Sequence, residues 1–361
     1  MTGSFGFSWS LSTAFLLFLL SQNLYAAVNS QVFRGAEAQA MGGAVTATIN
    51  DDLSLFYNPA GLGGAQNYKF RLLNANLEVS DALLSSPGTF SPLLSGSMSS
   101  GVINSLIGEN IYARTQAVSE VSFMGFAMAA IGDIQGAVRL QNPNYPTGTV
   151  GLQTTYGAQL GYGQTIAKFA KKQGELRFGV AGKYLMRAGA FQHPSVTDIL
   201  TLNMQNILGN YQTFGLGIGF DSGMQLLYRL NKKWTLLGGI AVTDLGNTVF
   251  SNGSPAISSN LSTGFGVRYK NYDFTATLSY DFQHVLDDID WQQKTHMGLE
   301  LKFPILSLYA GLSQLYPSYG FGLDFKLLKV LYTSYTEELG SVVGLDPEHR
   351  YLLNVQVDFS L

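Results

Sequence analysis

Apolar and polar residues alternate in a long series of segments from Tyr68 to the end of this 361-residue chain. Between Tyr272 and Phe282, for example, every second residue is aromatic or aliphatic and the residues between them are Asp, Thr or Ser. A period of two places the two sets on opposite faces of a β-strand. Beyond the N-terminus no run reaches the ~18 to 20 apolar residues of a membrane helix. A chain of this kind can cross a bilayer as a closed barrel, which pairs every backbone group between strands.

Composition supports this all-β prediction, because only 12% of the residues are charged whereas a soluble domain has about a quarter. The alternation indicates fifteen strands, but bacterial single-chain barrels have an even number. We therefore interpret 123–131 and 134–141 as one strand that is interrupted at Gly132 and Asp133. The prediction is a 14-stranded antiparallel transmembrane β-barrel formed by residues 68–361. Its strands are expected at 68–79, 111–120, 123–141, 149–166, 175–192, 211–229, 234–248, 260–270, 272–284, 294–304, 306–316, 318–327, 329–338 and 350–361.

The first 26 residues have the pattern of a secretory signal peptide. Phe15 to Leu20 is an apolar core of the length that export signals use, and Ala26 is a small residue at a plausible cleavage point. We expect the mature chain to begin at Ala27. A signal peptide followed by period-two strands predicts location in the outer membrane of a diderm bacterium.

Residues 27–67 fit neither a helix nor a strand and are predicted to form a plug inside the barrel lumen. Gly42 and Gly43 allow the backbone to turn, and Pro59 removes a backbone donor. The acidic pair Asp51 and Asp52 either caps a turn of this plug or forms ion pairs that pin it to the lumen. The candidate lumen cations lie opposite the apolar faces of their strands: Arg139, Arg177, Lys183, Arg187 and Arg268. We expect most of these charges to serve only to keep the interior of the barrel wet.

These N-terminal elements resemble the hatch of the FadL family of outer-membrane transporters of long-chain fatty acids and related compounds. The resemblance implies the 14-stranded barrel, a hatch that blocks its lumen, and a third strand that opens a lateral exit. By position in this sequence the exit is expected at Gly132 and Asp133. The hatch residues that it implies are Gly42, Gly43, Asp51, Asp52, Asn58, Pro59 and Ala60.

The same resemblance implies passive transport of hydrophobic small molecules, of the fatty acid or hydrocarbon class. An outer groove would capture the solute, the hatch would shift, and the solute would leave sideways into the membrane. Two amphipathic stretches in predicted outer loops are candidates for the groove, with Val102, Leu106, Ile199, Leu202 and Ile207 as its apolar side chains.

A second function stays open, because 103–114 and 334–361 are more similar to the smaller, PorV-like relatives of the family. Such a protein binds a secreted or envelope protein at its outer loops and transports no solute. Neither function implies a cofactor, a nucleotide or a metal ion. The net charge of −3 argues against a nucleic acid partner, and no serine or histidine motif indicates an enzyme. The expected partners of this monomer are a hydrophobic molecule, membrane lipid and the barrel-assembly machinery, whose C-terminal signal the last strand resembles.

Overall fold

The structure is a computed structural model that describes residues 31–65, 67–85, 107–141, 147–192 and 213–360. The predicted signal peptide lies outside these residues. So do the five candidate groove residues, Val102, Leu106, Ile199, Leu202 and Ile207.

Fourteen antiparallel strands form a closed barrel in which each strand pairs with the next along the chain and the last pairs with the first. The predicted fold is therefore confirmed. The strands are β1 Lys69–Ser80, β2 Asn110–Phe123, β3 Phe126–Gln141, β4 Thr147–Phe169, β5 Gly174–Gln192, β6 Gly215–Arg229, β7 Trp234–Thr243, β8 Asn260–Asn271, β9 Phe274–Phe282, β10 Thr295–Lys302, β11 Leu306–Ser313, β12 Tyr316–Asp324, β13 Leu328–Glu338 and β14 Pro347–Ser360.

The alternation in the sequence decides which side chains face outward. In β6, glycines and polar residues such as Asp221 and Gln225 face inward and are buried, whereas Ile218 and Phe220 are more than half exposed on the outer surface. An apolar outer belt around a polar interior is the arrangement of a barrel that spans an outer membrane. No helix in the described part of the chain is long and apolar enough to cross a membrane.

Short connections lie at the end of the barrel where β1 begins and β14 ends. The hairpin between β2 and β3 has only two turn residues, Met124 and Gly125, and both have positive φ angles. The connections at the opposite end include 244–259 and 283–294. Because short turns of such barrels face the periplasm, the first end is the periplasmic one and the second is the outer one.

The third strand is continuous, so the joining of 123–131 to 134–141 is confirmed. The interruption that we expected at Gly132 and Asp133 is wrong. Gly132 pairs with residues on both neighbouring strands, and so does Asp133. The ladder persists because Gly132 faces outward into open space, while Asp133 faces inward and forms an ion pair with Arg114.

Residues 32–65, which we call the plug segment, lie inside the ring of strands. Its helix Ala36–Ala40 lies against β11 to β14, and its 3-10 helix Pro59–Gly64 lies against β4 to β6 on the other side. A further short helix, Ser54–Tyr57, separates them. Outside the plug segment, helix Asp81–Ser85 follows β1 and the 3-10 helix Ala170–Lys172 follows β4.

Candidate functional site

Glycines on the inner wall form the seat of the plug segment. A Cβ atom at Gly179 would lie 2.2 Å from the carbonyl carbon of Pro59, and one at Gly223 would lie 2.0 Å from Asn58 Oδ1. Such distances leave no room for any other residue, so the wall is glycine at these closest contacts with the plug segment. A Cβ atom at each of seven further wall glycines would lie 2.4 to 2.8 Å from an atom of the plug segment: Gly161, Gly163, Gly239, Gly266, Gly298, Gly311 and Gly320.

Asn58, Pro59 and Ala60 fix the shape of the plug segment. Asn58 Oδ1 accepts a hydrogen bond from the Ala60 backbone N–H at 3.2 Å, and Asn58 Nδ2 donates to the Thr46 carbonyl at 2.8 Å. The same amide also donates to the carbonyl of Met224 on β6 at 3.3 Å. Pro59 begins the 3-10 helix, where its missing N–H costs nothing. Asn58 and Ala60 are fully buried, so this corner closes part of the lumen.

Gly42 and Gly43 form a turn that touches the opposite side of the wall. Both have positive φ angles, and a Cβ atom at Gly42 would lie 2.5 Å from the Leu312 carbonyl oxygen. His296 Nδ1 donates to the Gly42 carbonyl at 2.7 Å, and Gln283 Nε2 donates to the Gly43 carbonyl at 2.8 Å. The turn is therefore held by wall side chains near the outer ends of β9 and β10.

The acidic pair divides into one paired and one unpaired carboxylate. Asp52 is buried and lies 3.0 Å from both Lys69 Nζ and Arg71 Nη1. These two cations are the first and third residues of β1, at the periplasmic end of the strand. Arg71 also pairs with Asp358 at 2.8 Å. Asp51 has no ion pair among the described residues, and burial together with the charge of Asp52 raises its pKa to about 6. Asp52 thus joins the plug segment to the wall.

None of the five candidate lumen cations forms an ion pair with Asp51 or Asp52 among the described residues. Arg177 pairs with Glu175, and Lys183 pairs with Asp221 and Asp244. The other three predicted cations also have their contacts elsewhere: Arg139 with Asp346, Arg187 with the Pro255 carbonyl, and Arg268 with the Thr48 carbonyl. The true partners follow the plug segment directly in sequence, and Lys69 and Arg71 occupy alternate positions at the start of the first strand. That spacing was the signal available to find them.

A second ionic anchor lies in the outer half of the lumen and was not predicted. Arg34 of the plug segment donates to both carboxylate oxygens of Glu337 on β13, at 2.6 and 2.8 Å. Arg350 on β14 also pairs with Glu337, and it pairs with Glu78 on β1 at 3.2 Å. The anchor therefore joins the plug segment to the three strands that close the barrel. Glu37 and Lys329 form a further ion pair nearer the periplasm.

The start of the plug segment lies behind Gly132 and Asp133. Arg114 Nε donates to Asp133 at 2.7 Å, and Arg114 Nη2 donates to the carbonyls of Gln31 and Val32 at 3.1 and 3.4 Å. The wall is closed at this point, and the lateral exit stays a prediction.

One side of the lumen carries a continuous buried apolar cluster, which we call the apolar strip. The outer end of the strip consists of residues from the connection 244–259. Its middle consists of wall residues from β2, β3 and β5, and the plug segment packs against them from inside the lumen. Its members are Phe250 and Ile257, then Val118, Ala127, Ala129, Ile131, Ala181 and Leu185, and then Val32, Phe33, Leu53, Leu55 and Leu62. The strip runs from the outer connection to the periplasmic half of the barrel.

A cavity of about 380 Å³ lies between the plug segment and β8 to β10, toward the periplasm. Its floor is apolar and includes Met41 and Val45, whereas its rim is charged and includes Asp51, Arg268 and Lys302. The plug segment therefore has free space on one side, next to the acidic pair.

Comparison with solved structures finds several hydrocarbon channels among its matches. A TodX monoaromatic hydrocarbon channel with the deltaS2S3 mutation is 12% identical, with a TM-score of 0.53, over 91% of this chain and 98% of that chain. The toluene transporters TodX of Pseudomonas putida and TbuX of Ralstonia pickettii are 12% and 10% identical, with TM-scores of 0.46 and 0.43. The first covers 91% of this chain and 99% of its own, and the second covers 92% and 100%. No family model and no curated protein matches. At this identity the likeness establishes the fold alone, which is that of the TodX barrel, as the resemblance to the FadL family implied.

Proposed function

We propose that this protein lets hydrophobic small molecules cross the outer membrane, and the apolar strip is the observation that carries the proposal. The interior of a water-filled barrel is polar. Here buried apolar side chains such as Leu185 and Ile131 instead form a connected surface from the outer connection to the plug segment. An apolar solute is poorly soluble in water, because its hydration is unfavourable. On such a surface its free energy is close to that in the membrane, since both environments remove apolar area from water.

Passage along the strip requires the plug segment to move, because Leu55 and Leu62 are packed against the wall. The plug segment is held by ion pairs, hydrogen bonds and close packing. These contacts can be replaced by water as the segment shifts. We propose that a long-chain fatty acid or a hydrocarbon enters beside Phe250. It then displaces the plug segment from the strip and leaves through the wall of β3 near Gly132, which is adjacent to Ile131.

The test compares two polar substitutions on opposite sides of the lumen. Leu185→Asn places an amide in the apolar strip, and Leu331→Asn places the same amide in the separate apolar cluster where helix Ala36–Ala40 rests. An unpaired amide in an apolar site costs about 1 to 3 kcal/mol. Uptake of radiolabelled oleate or toluene by proteoliposomes should fall roughly tenfold in Leu185→Asn. Equal uptake by both variants, or no uptake by the unaltered protein, would rule out the strip as the path.

A protein-binding function is the second candidate, and exposed apolar side chains on the outer connections favour it. Leu286 is 81% exposed, Trp291 62% and Leu345 65%. Exposed apolar clusters commonly mark binding surfaces for other proteins. Leu286→Ser combined with Trp291→Ser should leave solute uptake unchanged if these residues serve only a partner protein. The same variant would then lose surface retention of the secreted or envelope protein.

A further inference from the structure

In the middle of β7, two successive glycines leave the wall without a side chain on either face. Gly239 faces inward, and the gap there is filled by the plug segment, since a Cβ atom would lie 2.6 Å from the Thr46 carbonyl oxygen. It would also lie 2.7 Å from Ala47 Cα. Gly238 faces outward, and the nearest atom to a Cβ there is Leu226 Cβ at 3.8 Å. The inner gap is closed and the outer one is open.

The open gap at Gly238 lies in a row of large outward-facing side chains. Gly238 pairs with Leu226 on β6 and with Phe265 on β8. Leu176 on β5 and Tyr280 on β9 extend the row, and the Phe265 and Tyr280 rings lie against each other with centroids 5.3 Å apart. Gly238 lies at the bottom of an open groove between these neighbours, whose volume is about 490 Å³.

We propose that this groove, which we call the β7 groove, binds an acyl chain of an outer-membrane lipid. Its further walls are Met224 and Ile240, which are apolar and face the membrane. The backbone of β7 and the plug segment at Thr46 separate the groove from the lumen. A membrane lipid can therefore reach it directly, whereas a solute in the closed lumen cannot.

An acyl chain in the β7 groove would complete the wall at a place where neither face has a side chain. The plug segment supplies the atoms that Gly239 lacks on the inside, and the acyl chain supplies those that Gly238 lacks on the outside. Both contacts replace empty space by close packing, which is the ordinary condition of a protein interior. This site is independent of the apolar strip, which lies on β2, β3 and β5.

Native mass spectrometry of protein extracted from vesicles of dioleoyl phosphatidylethanolamine and dioleoyl phosphatidylglycerol tests the proposal. The unaltered protein should retain a phospholipid in mild detergent. Gly238→Leu fills the groove and should abolish retention. Gly182→Leu is the matched control, since Gly182 also faces outward and a Cβ there would meet only the Phe220 ring, at 3.8 Å. This control should retain the lipid.

Phe265→Ala gives a second test that adds no bulk, because it removes one wall of the groove and should weaken retention. Heat-modifiable migration in gels confirms that each variant is folded. Retention by Gly238→Leu or Phe265→Ala equal to that of the unaltered protein would overturn the proposal. So would equal loss in Gly182→Leu, or a retained mass that belongs to an added hydrophobic solute instead of a phospholipid. Failure here would leave the uptake result for Leu185→Asn unaffected.

Discussion

Asp52 Oδ2 lies 3.0 Å from Arg71 Nη1, so a buried ion pair joins the segment inside the barrel to the first strand of its wall. Lys69 reaches the other oxygen of the same carboxylate, also at 3.0 Å. The two cations lie near the periplasmic end of β1, and the Lys69 side chain is 26% exposed there. In the proposed mechanism, this ion pair holds the plug segment in the closed protein.

Removing the Asp52 charge should loosen the plug segment. Asp52→Asn leaves Lys69 and Arg71 to share Asp358, so the cost should lie below the ~3 to 5 kcal/mol of a buried charge that is left wholly unpaired. We expect increased influx of a small fluorescent dye into proteoliposomes. The control is Asp51→Asn, which removes no ion pair among the described residues. If Asp52→Asn folds normally and excludes the dye as well as the unaltered protein does, the pair only caps a turn.

The hold on the plug segment should depend on pH through Asp51. Its pKa is raised from 3.8 to about 6 in the closed protein, so the closed state binds this proton more tightly than a released, hydrated segment does. The stabilisation of the closed state by the Asp51 proton is complete below pH 3.8 and is lost as the pH rises through about 6. Dye influx should therefore increase over this interval. Asp51→Asn should flatten this part of the pH profile, and an unchanged profile would contradict the assignment.

Any side chain at the glycine seat should displace the plug segment. Gly179→Val would place atoms where Pro59 already lies, and overpacking of this kind costs about 1 to 3 kcal/mol. Limited proteolysis should cleave the plug segment faster in this variant. Gly182→Val adds the same side chain three positions further along β5, on the outer face, and should leave the cleavage rate unchanged. Equal cleavage of both variants would exclude a specific seat.

The lateral exit can be tested by closing the wall. Ala117 and Gly132 are directly paired on β2 and β3, and both face outward, away from the Arg114 and Asp133 ion pair. The chain has no native cysteine, so Ala117→Cys with Gly132→Cys introduces a single possible disulfide. Its formation should abolish uptake of oleate, and reduction should restore it. Undiminished uptake by the oxidised protein would place the exit elsewhere.

The fold could be predicted because each strand carries its own pattern. The alternation from Phe274 to Phe282 defines β9 without reference to any other part of the chain. The requirement for an even strand number correctly merged two stretches into β3. The interruption expected at Gly132 was wrong because the partner that neutralises Asp133 is Arg114 on another strand, and the local sequence does not show it.

The contacts of the plug segment could be predicted only in part. Gly42, Gly43 and Asn58 have local signals, since glycine allows positive φ angles and asparagine bonds to nearby backbone groups. The ion pair between Arg34 and Glu337 joins residues that are 303 positions apart. The register and tilt of every intervening strand decide which side chains meet across the lumen. A local sequence pattern does not contain that information.

Locking the plug segment to the wall tests the central claim most directly. A Cβ atom at Gly266 would lie 2.8 Å from Thr48 Cγ2, so cysteines at both positions come close to the separation that a disulfide needs. The measurement is uptake of radiolabelled oleate and toluene by proteoliposomes containing Thr48→Cys with Gly266→Cys, before and after reduction. We predict no uptake by the oxidised protein, and uptake after reduction that is at least that of the unaltered protein, because the reduced Gly266→Cys side chain crowds the seat of the plug segment. Equal uptake in both states would show that solute passes without movement of the plug segment and would contradict the account.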